Sequence, residues 1–453
     1  MDALLYFIIT VGILVFIHEF GHFAAARLCG IQTDAFAIGF GYRLFGWNKV
    51  TGFTFGELPK DTDLQGHTDY KINLLPLGGY VKIAGMVDES MDTDFASKPP
   101  QPHEFRSKST LAKVFVITGG VLMNLLLALA VFWGNNYFEG KTFSKTTTVG
   151  YVAEQSLADS LGFQAGDKIL AINGKEMKYW EDIRNEVFVA GMGLDLKFDV
   201  ERNAEKTVIT VPRNQVPKDE SQGPFLLTEN LKPVVSDLLK DAEADKGGIK
   251  TGDILLSIND TSIYTVQQTI GMISNAADRD ITLKVLRGEK DTLGFTINPG
   301  SDGKIGVILG GYIYLGETEN ITYGFFESVG LGFRDMGNMS ALTFIMLKRV
   351  ITGDVEFKRA FGGPIKIAQF AARSADSGLQ SFLMFLGLLS LSLALLNILP
   401  FPALDGGHLV MILIEGAMKR EIPLKTKIVI QNAGFVLLLV LMAFILYNDI
   451  LSL

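Results

Sequence analysis

Three residues in the stretch HEFGH, 18 to 22, have the types and spacing for metal chemistry. On a helix, His18 and His22 stand four residues apart and share one face. That spacing lets two imidazoles grip one ion, with Glu19 beside them as a base. A catalytic zinc site needs three protein ligands and an open position for water. Two ligands are therefore at hand and a third must come from elsewhere. A five-residue pattern alone is modest evidence, but its surroundings add weight. It sits inside LLYFIITVGILVFIHEFGHFAAARLCG, an otherwise apolar run. An ionisable group within a membrane span costs about 2.5–3.5 kcal/mol on insertion scales and is kept for a partner and a function.

The third ligand must lie at similar depth on another span. Asp405 is the acid nearest a helix break, in Asn397-Ile398-Leu399-Pro400-Phe401-Pro402-Ala403-Leu404-Asp405-Gly406-Gly407-His408. Glu415 lies further on. His408 is the rival and ranks second, while His67 and His103 fall in a polar connection. His18 lies roughly 21 Å along its helix from the outer end. Asp405 lies past the middle of a span that enters from the same side, so the depths agree.

The elements that must position these groups are membrane helices. The chain has 453 residues, 48% hydrophobic and 20% charged, and its mean hydropathy is +0.28. That balance suits a few spans plus a large polar part. Four apolar stretches qualify at about 20 residues each: 1–30, 111–136, 381–418 and 428–447. The third is too long for one straight helix, and Pro400 and Pro402 interrupt its hydrogen-bond ladder. Backbone freed at that depth must line a buried or wet cavity. Lys and Arg crowd the connections after the first and third spans, so both connections are expected in the cytoplasm and both termini outside. Met1-Asp2 has no basic run of the kind that opens a cleaved leader. A net charge of −8 argues against a nucleic-acid surface. The single cysteine, Cys29, excludes an intrachain disulfide and Cys-rich metal sites.

Two further regions carry organisation. Within the cytoplasmic-side loop 31–110, KINLLPLGGYVKIAGM alternates like a strand and holds Gly78-Gly79. It reads either as a re-entrant β element against the site or as an ordinary small sheet. In the large external region, GDKILAIN at 166–173 repeats as GDILLSIN at 252–259. Each copy is followed by a turn, a helical stretch and a strand pair. The copies look like two tandem PDZ domains, 146–215 and 226–300, an α+β pair. Ser160-Leu161-Gly162-Phe163 resembles a PDZ carboxylate loop, but a helix-capping glycine explains it better. The sequence leaves open which sheet edge would accept an added strand. Residues 301–380 read as an external, membrane-associated helical region.

Taken together, HEFGH, the Asn397-x-x-Pro400-x-Pro402-x-Leu404-Asp405-Gly406 run and the repeat resemble the site-2 protease family of intramembrane zinc proteases. The likeness spans the chain and is greatest to the proteobacterial branch that regulates sigma-E. Ala37-Ile38-Gly39-Phe40-Gly41, Pro76-Leu77-Gly78-Gly79-Tyr80-Val81-Lys82 and Gly363-Pro364-Ile365 also match its pattern. Gly119-Gly120-Val121-Leu122-Met123-Asn124 lacks the usual proline but keeps Asn124. The resemblance implies a polytopic α-helical membrane protein with four transmembrane helices, the third broken, a membrane-associated β-hairpin or sheet, and two external PDZ domains. It implies Zn2+ held by His18, His22 and Asp405, with Glu19 as the catalytic base. Asn397 would hold substrate or its oxyanion, or else cap the broken helix. Gly78, Gly79, Tyr80 and Val81 would clamp an extended substrate segment. Expected partners are the lipid bilayer, single-span substrates such as an anti-sigma factor already cut outside, leftover signal peptides, and a peptide or protein ligand of the PDZ pair, which gates access. The expected location is a bacterial inner membrane, with termini and PDZ domains periplasmic and the site toward the cytoplasmic leaflet. Two other readings carry less weight: a catalytically silent PDZ scaffold, which has no use for Glu19, and a metal transporter, whose repeats would lie among the spans.

Overall fold

A computed structural model describes residues 2–59, 62–86, 99–187, 195–212, 227–288, 291–352 and 362–451. The chain forms two compact units, one from 1–140 with 322–453 and one from 141–321.

The first unit opens with α1 (Asp2–Leu28), which carries HEFGH near its C-terminal end. Three strands follow, β1 (Thr33–Asn48), β2 (Gly52–Phe55) and β3 (Asp69–Ile83), ordered β2-β1-β3. Arg43 is buried in this sheet with every arm engaged. Its Nε and Nη2 donate to the two Asp69 carboxylate oxygens at 3.1 and 3.0 Å, and its Nη1 donates to Gly56 O at 2.6 Å. The next helix, α2 (Thr110–Phe138), packs on α1. Their backbones touch at two glycines. A Cβ on Gly21 would stand 2.1 Å from Gly119 O, and one on Gly119 would stand 2.5 Å from Gly21 O. Only small residues allow membrane helices this close.

The second unit begins with β4 (Lys141–Ser144) and holds two similar halves. The first half contains β5 (Tyr151–Val152), α3 (Leu157–Ser160), β6 (Lys168–Ile172), β7 (Lys175–Glu176), α4 (Trp180–Asn185), β8 (Leu196–Arg202) and β9 (Glu205–Val211). Its sheet runs β7-β6-β8-β9 over a core that includes Phe163, Trp180 and Phe198. Gly162 follows α3 with φ +88°, so it does end that helix. A short β10 (Leu227–Thr228) pairs with β5.

The second half contains β11 (Leu231–Leu238), α5 (Glu243–Lys246), β12 (Ile254–Ile258), β13 (Thr261–Ser262), α6 (Val266–Ser274), β14 (Ile281–Arg287), β15 (Asp291–Ile297) and β16 (Val307–Tyr314). The strand path is β15-β14-β12-β11-β16. Then β17 (Thr318–Ile321) pairs back with β4, closing the unit where it began. This corrects the expectation of a helical region from 301. VILGGYIY is β-branched and aromatic, and β11 supplies a pairing edge, so the stretch completes a sheet instead.

The chain returns to the first unit with α7 (Phe325–Thr352) and α8 (Pro364–Asp376). The expected third span divides into α9 (Leu379–Asn397) and α10 (Asp405–Met418), with Pro400 and Pro402 in the gap, and α11 (Leu424–Leu451) follows. Asp449 near the end of α11 caps α8, accepting from the Gly363 and Ile365 amides at 3.1 Å each. Helices 3–28, 110–138, 379–397 and 424–450 are long and apolar enough to cross a membrane.

Candidate active site

The site forms where α1, the start of α10 and α2 meet. Asp405 occupies the first turn of α10 because the chain cannot continue as helix through Pro400 and Pro402. The two glycines after it let the turn close. A Cβ on Gly406 would stand 2.1 Å from Leu399 O, and one on Gly407 would stand 2.3 Å from Phe401 O. A carboxylate at this end of a helix also meets the positive end of its dipole.

His18, His22 and Asp405 are brought together. His18 Nε2 lies 3.2 Å from Asp405 Oδ2, His22 Nε2 lies 3.4 Å from the same oxygen, and the two Nε2 atoms are 3.2 Å apart. A tetrahedral zinc with bonds of about 2.0–2.1 Å sets its ligand atoms about 3.3–3.4 Å apart. The three separations therefore match one face of such a tetrahedron. Asp405 Oδ2 is buried without a hydrogen-bond partner, which is costly unless a cation completes it. Among the described residues these three make the one group of His, Cys, Asp and Glu with this convergence. The donor set of two imidazoles and a carboxylate suits zinc.

Glu19 faces the same cavity, which measures about 150 Å³ and is also lined by Tyr80, Val81, Asn397 and His408. Gly79 lies against α1, where a Cβ would stand 2.8 Å from Val15 and 3.2 Å from Glu19 Cγ. A side chain on Gly78 would strike the Phe40 ring at 2.3 Å. Asn397 ends α9 with its Nδ2 3.4 Å from His18 Nε2. The rivals are occupied elsewhere. The Gln431 amide lies 3.0 Å from His408 Nε2, and Glu415 pairs with Lys427 at 2.6 Å.

Sequence reasoning missed what lies behind the imidazoles. His22 Nδ1 donates to Val116 O at 2.9 Å, and Asn124 Nδ2 lies 3.2 Å from His18 Nδ1. Gly120 leaves room for both rings, since a Cβ there would stand 2.5 Å from His22 Nε2. A backbone carbonyl leaves no trace in a side-chain pattern. Asn124, an amide midway along an apolar span, did offer a signal.

Comparison with known proteins agrees with this geometry. The sequence pattern of peptidase family M50 matches residues 6–441. The chain belongs to peptidase family M50. The "Regulator of sigma E protease" of Haemophilus influenzae is 31% identical, covering 99% of this chain and 98% of its own length. "Protease RseP" of Yersinia pestis is 30% identical over 98% of this chain and 97% of its own. A Vibrio cholerae protein named as a zinc metalloprotease is 31% identical over 98% and 97%. As an M50 member the protein is a zinc metalloendopeptidase of the site-2 type, a multi-pass protein of the inner membrane that cleaves protein substrates.

Proposed function

We propose that His18, His22 and Asp405 hold the zinc and that Glu19 is the proton carrier of peptide hydrolysis within the membrane. The observation that carries this is the convergence of three ligand atoms, one of them the unpartnered Asp405 Oδ2, beside a carboxylate inside an apolar helix. When bound, zinc supplies Lewis-acid polarisation to the scissile carbonyl and the attacking water. Glu19 takes the water's proton and delivers it to the leaving amine. Asn397, at the mouth of the break, holds the substrate or its developing oxyanion through its amide N–H. Its alternative role as a cap for the broken helix predicts no effect on the chemical step.

A substrate helix hides its peptide bonds in its own ladder and must unwind to be cut. Gly78, Gly79, Tyr80 and Val81 on β3 offer strand-addition contacts to the unwound segment. Tyr80 and Val81 line the cavity, which supports this assignment. The substrates are single-span proteins trimmed on the outer side, such as an anti-sigma factor or a remnant signal peptide. The Lys and Arg distribution supports termini and the 141–321 unit on the periplasmic side and the site toward the cytoplasmic leaflet.

The two halves of that unit are PDZ domains that gate access by size. Duplicated Gly-Asp turns support the pairing. So does a groove of about 530 Å³ in the second half, lined by Leu255, Ile270, Ile273 and Leu309 beside β16. The described strand path ends at β15 and β16, and β16 is the end that borders this groove, which makes it the edge that would take a peptide strand.

The test is cleavage of a trimmed single-span substrate in membranes by the intact protein and by Glu19→Gln. Cleavage by the first alone supports the reading. Cleavage by both removes Glu19 from the mechanism. Retained zinc with no cleavage of any trimmed substrate returns weight to a PDZ scaffold.

A further inference from the structure

The two imidazoles of α1 are held from behind by α2 in different ways. At His22 the partner is Val116 O, which can only accept, so the proton sits on Nδ1 and Nε2 keeps its lone pair for a metal. At His18 the partner of Nδ1 is the Asn124 side-chain amide. Asn124 is 0% exposed, deep in α2, and its Oδ1 has no hydrogen-bond partner. Its main chain is also fixed, because Ser390 Oγ on α9 donates to Asn124 O at 2.8 Å. Asn397 follows on α9 two turns after Ser390. The turn of α2 that carries Asn124 is thus tied both to the first candidate ligand and to the helix that delivers Asn397.

The chemistry of His18 constrains this amide. A neutral imidazole that offers Nε2 to zinc carries its proton on Nδ1 and needs an acceptor there. The amide nitrogen now faces that atom at 3.2 Å. A half-turn of the carboxamide puts Oδ1 in its place with little change of shape. No bond to Oδ1 opposes the turn.

We propose that Asn124 is the positioning residue of the zinc centre, its Oδ1 accepting from His18 Nδ1–H and so fixing the tautomer and ring plane that aim Nε2 at the metal. The proposal rests on the reading of His18 as a ligand. Asn124 does for His18 with a side chain what Val116 does for His22 with a backbone carbonyl. It touches neither substrate nor the reacting atoms. Its effect is read as metal affinity.

The experiment measures zinc affinity of the full-length protein in detergent, by competition with a chromophoric chelator at fixed neutral pH. Asn124→Leu keeps the shape and removes the acceptor, and is expected to weaken zinc binding about 10–100-fold. Asn124→Asp keeps the shape and is acceptor-only when ionised, and is expected to bind zinc within about threefold of the parent or more tightly. A structural role would not distinguish acceptor from non-acceptor at constant shape. Should Asn124→Leu fail to fold, Asn124→Asp decides alone. A tenfold or larger loss there means that Asn124 acts as an N–H donor, and overturns the proposal. Parental affinity in Asn124→Leu overturns it too. His18→Ala separates the two layers. If it keeps parental affinity, the ligand reading itself fails. If it loses zinc while both Asn124 variants keep it, only the positioning role fails.

Discussion

Two kinds of buried charge occur in this molecule, and they differ in how completely they are satisfied. In the 141–321 unit, Asp167 and Asp253 occupy equivalent Gly-Asp turns and are 0% and 1% exposed. Arg202 Nε and Nη2 donate to Asp167 at 2.6 and 2.8 Å, and Nη2 also reaches Gly162 O at 2.7 Å. Arg287 repeats this on Asp253 at 2.8 and 2.8 Å, with Gly248 O at 2.7 Å. Each carboxylate also accepts from a turn amide at 2.8 Å, Gln164 and Lys250 respectively. These oxygens are occupied by hydrogen bonds that fasten a turn to a strand. In the membrane unit, Asp405 Oδ2 faces two imidazole nitrogens and has no hydrogen-bond partner. Burial alone does not distinguish structure from chemistry; the filling of the lone pairs does. A satisfied cluster holds the fold, and a convergent unsatisfied one awaits a cation.

Variants that break this contrast rank by expected effect. Asp405→Ala should abolish stoichiometric zinc and with it proteolysis, measured by metal analysis and substrate cleavage in the same preparation. Glu19→Gln should keep zinc and lower kcat by about 10²–10⁴-fold, the range for a lost general acid–base group. Arg287→Ala should leave zinc and cleavage of a trimmed substrate unchanged but destabilise the second half of the 141–321 unit, since it strands the Asp253 carboxylate. Hydrogen exchange of β12 and β14 in the full chain reads this. The double change Asp253→Leu with Arg287→Met should restore most of that loss, because replacing both partners of a buried pair is often neutral. No pair of apolar residues should restore function at His18 and Asp405. The smallest effect is that of acid. Burial would raise the Asp253 carboxyl, but the Arg287 hydrogen bonds outweigh it and hold it below its ordinary value. The contribution of this pair is complete above about pH 4 and fades as pH falls through the lower folded value. Exchange protection of β12 should therefore decline below about pH 4 before any loss at neutral pH is seen.

How much of this was legible beforehand depends on the distance over which each feature is specified. HEFGH is local, so helix periodicity alone places His18 and His22 on one face. Asp405 could be chosen because two prolines mark the break that frees it. The repeat revealed itself by Gly166-Asp167 and Gly252-Asp253, although the arginines that complete those turns lie 35 and 34 residues further on. Other features depend on long-range contacts. Residues 307–314 read as part of a helical region until β11 supplies an edge to pair with. Gly21 and Gly119 gain meaning only when two helices cross there. Asn124 stood out as polar in an apolar span, yet its meeting with His18 spans 106 residues.

The central claim is the ligand set, and X-ray absorption at the zinc edge of the full-length protein tests it most directly. The account predicts one zinc per chain with two imidazole nitrogens, the rest of the shell oxygen, and no sulfur, and it predicts loss of that metal in Asp405→Ala. A third imidazole in the shell, with zinc retained in Asp405→Ala, would put His408 in place of Asp405 and contradict it.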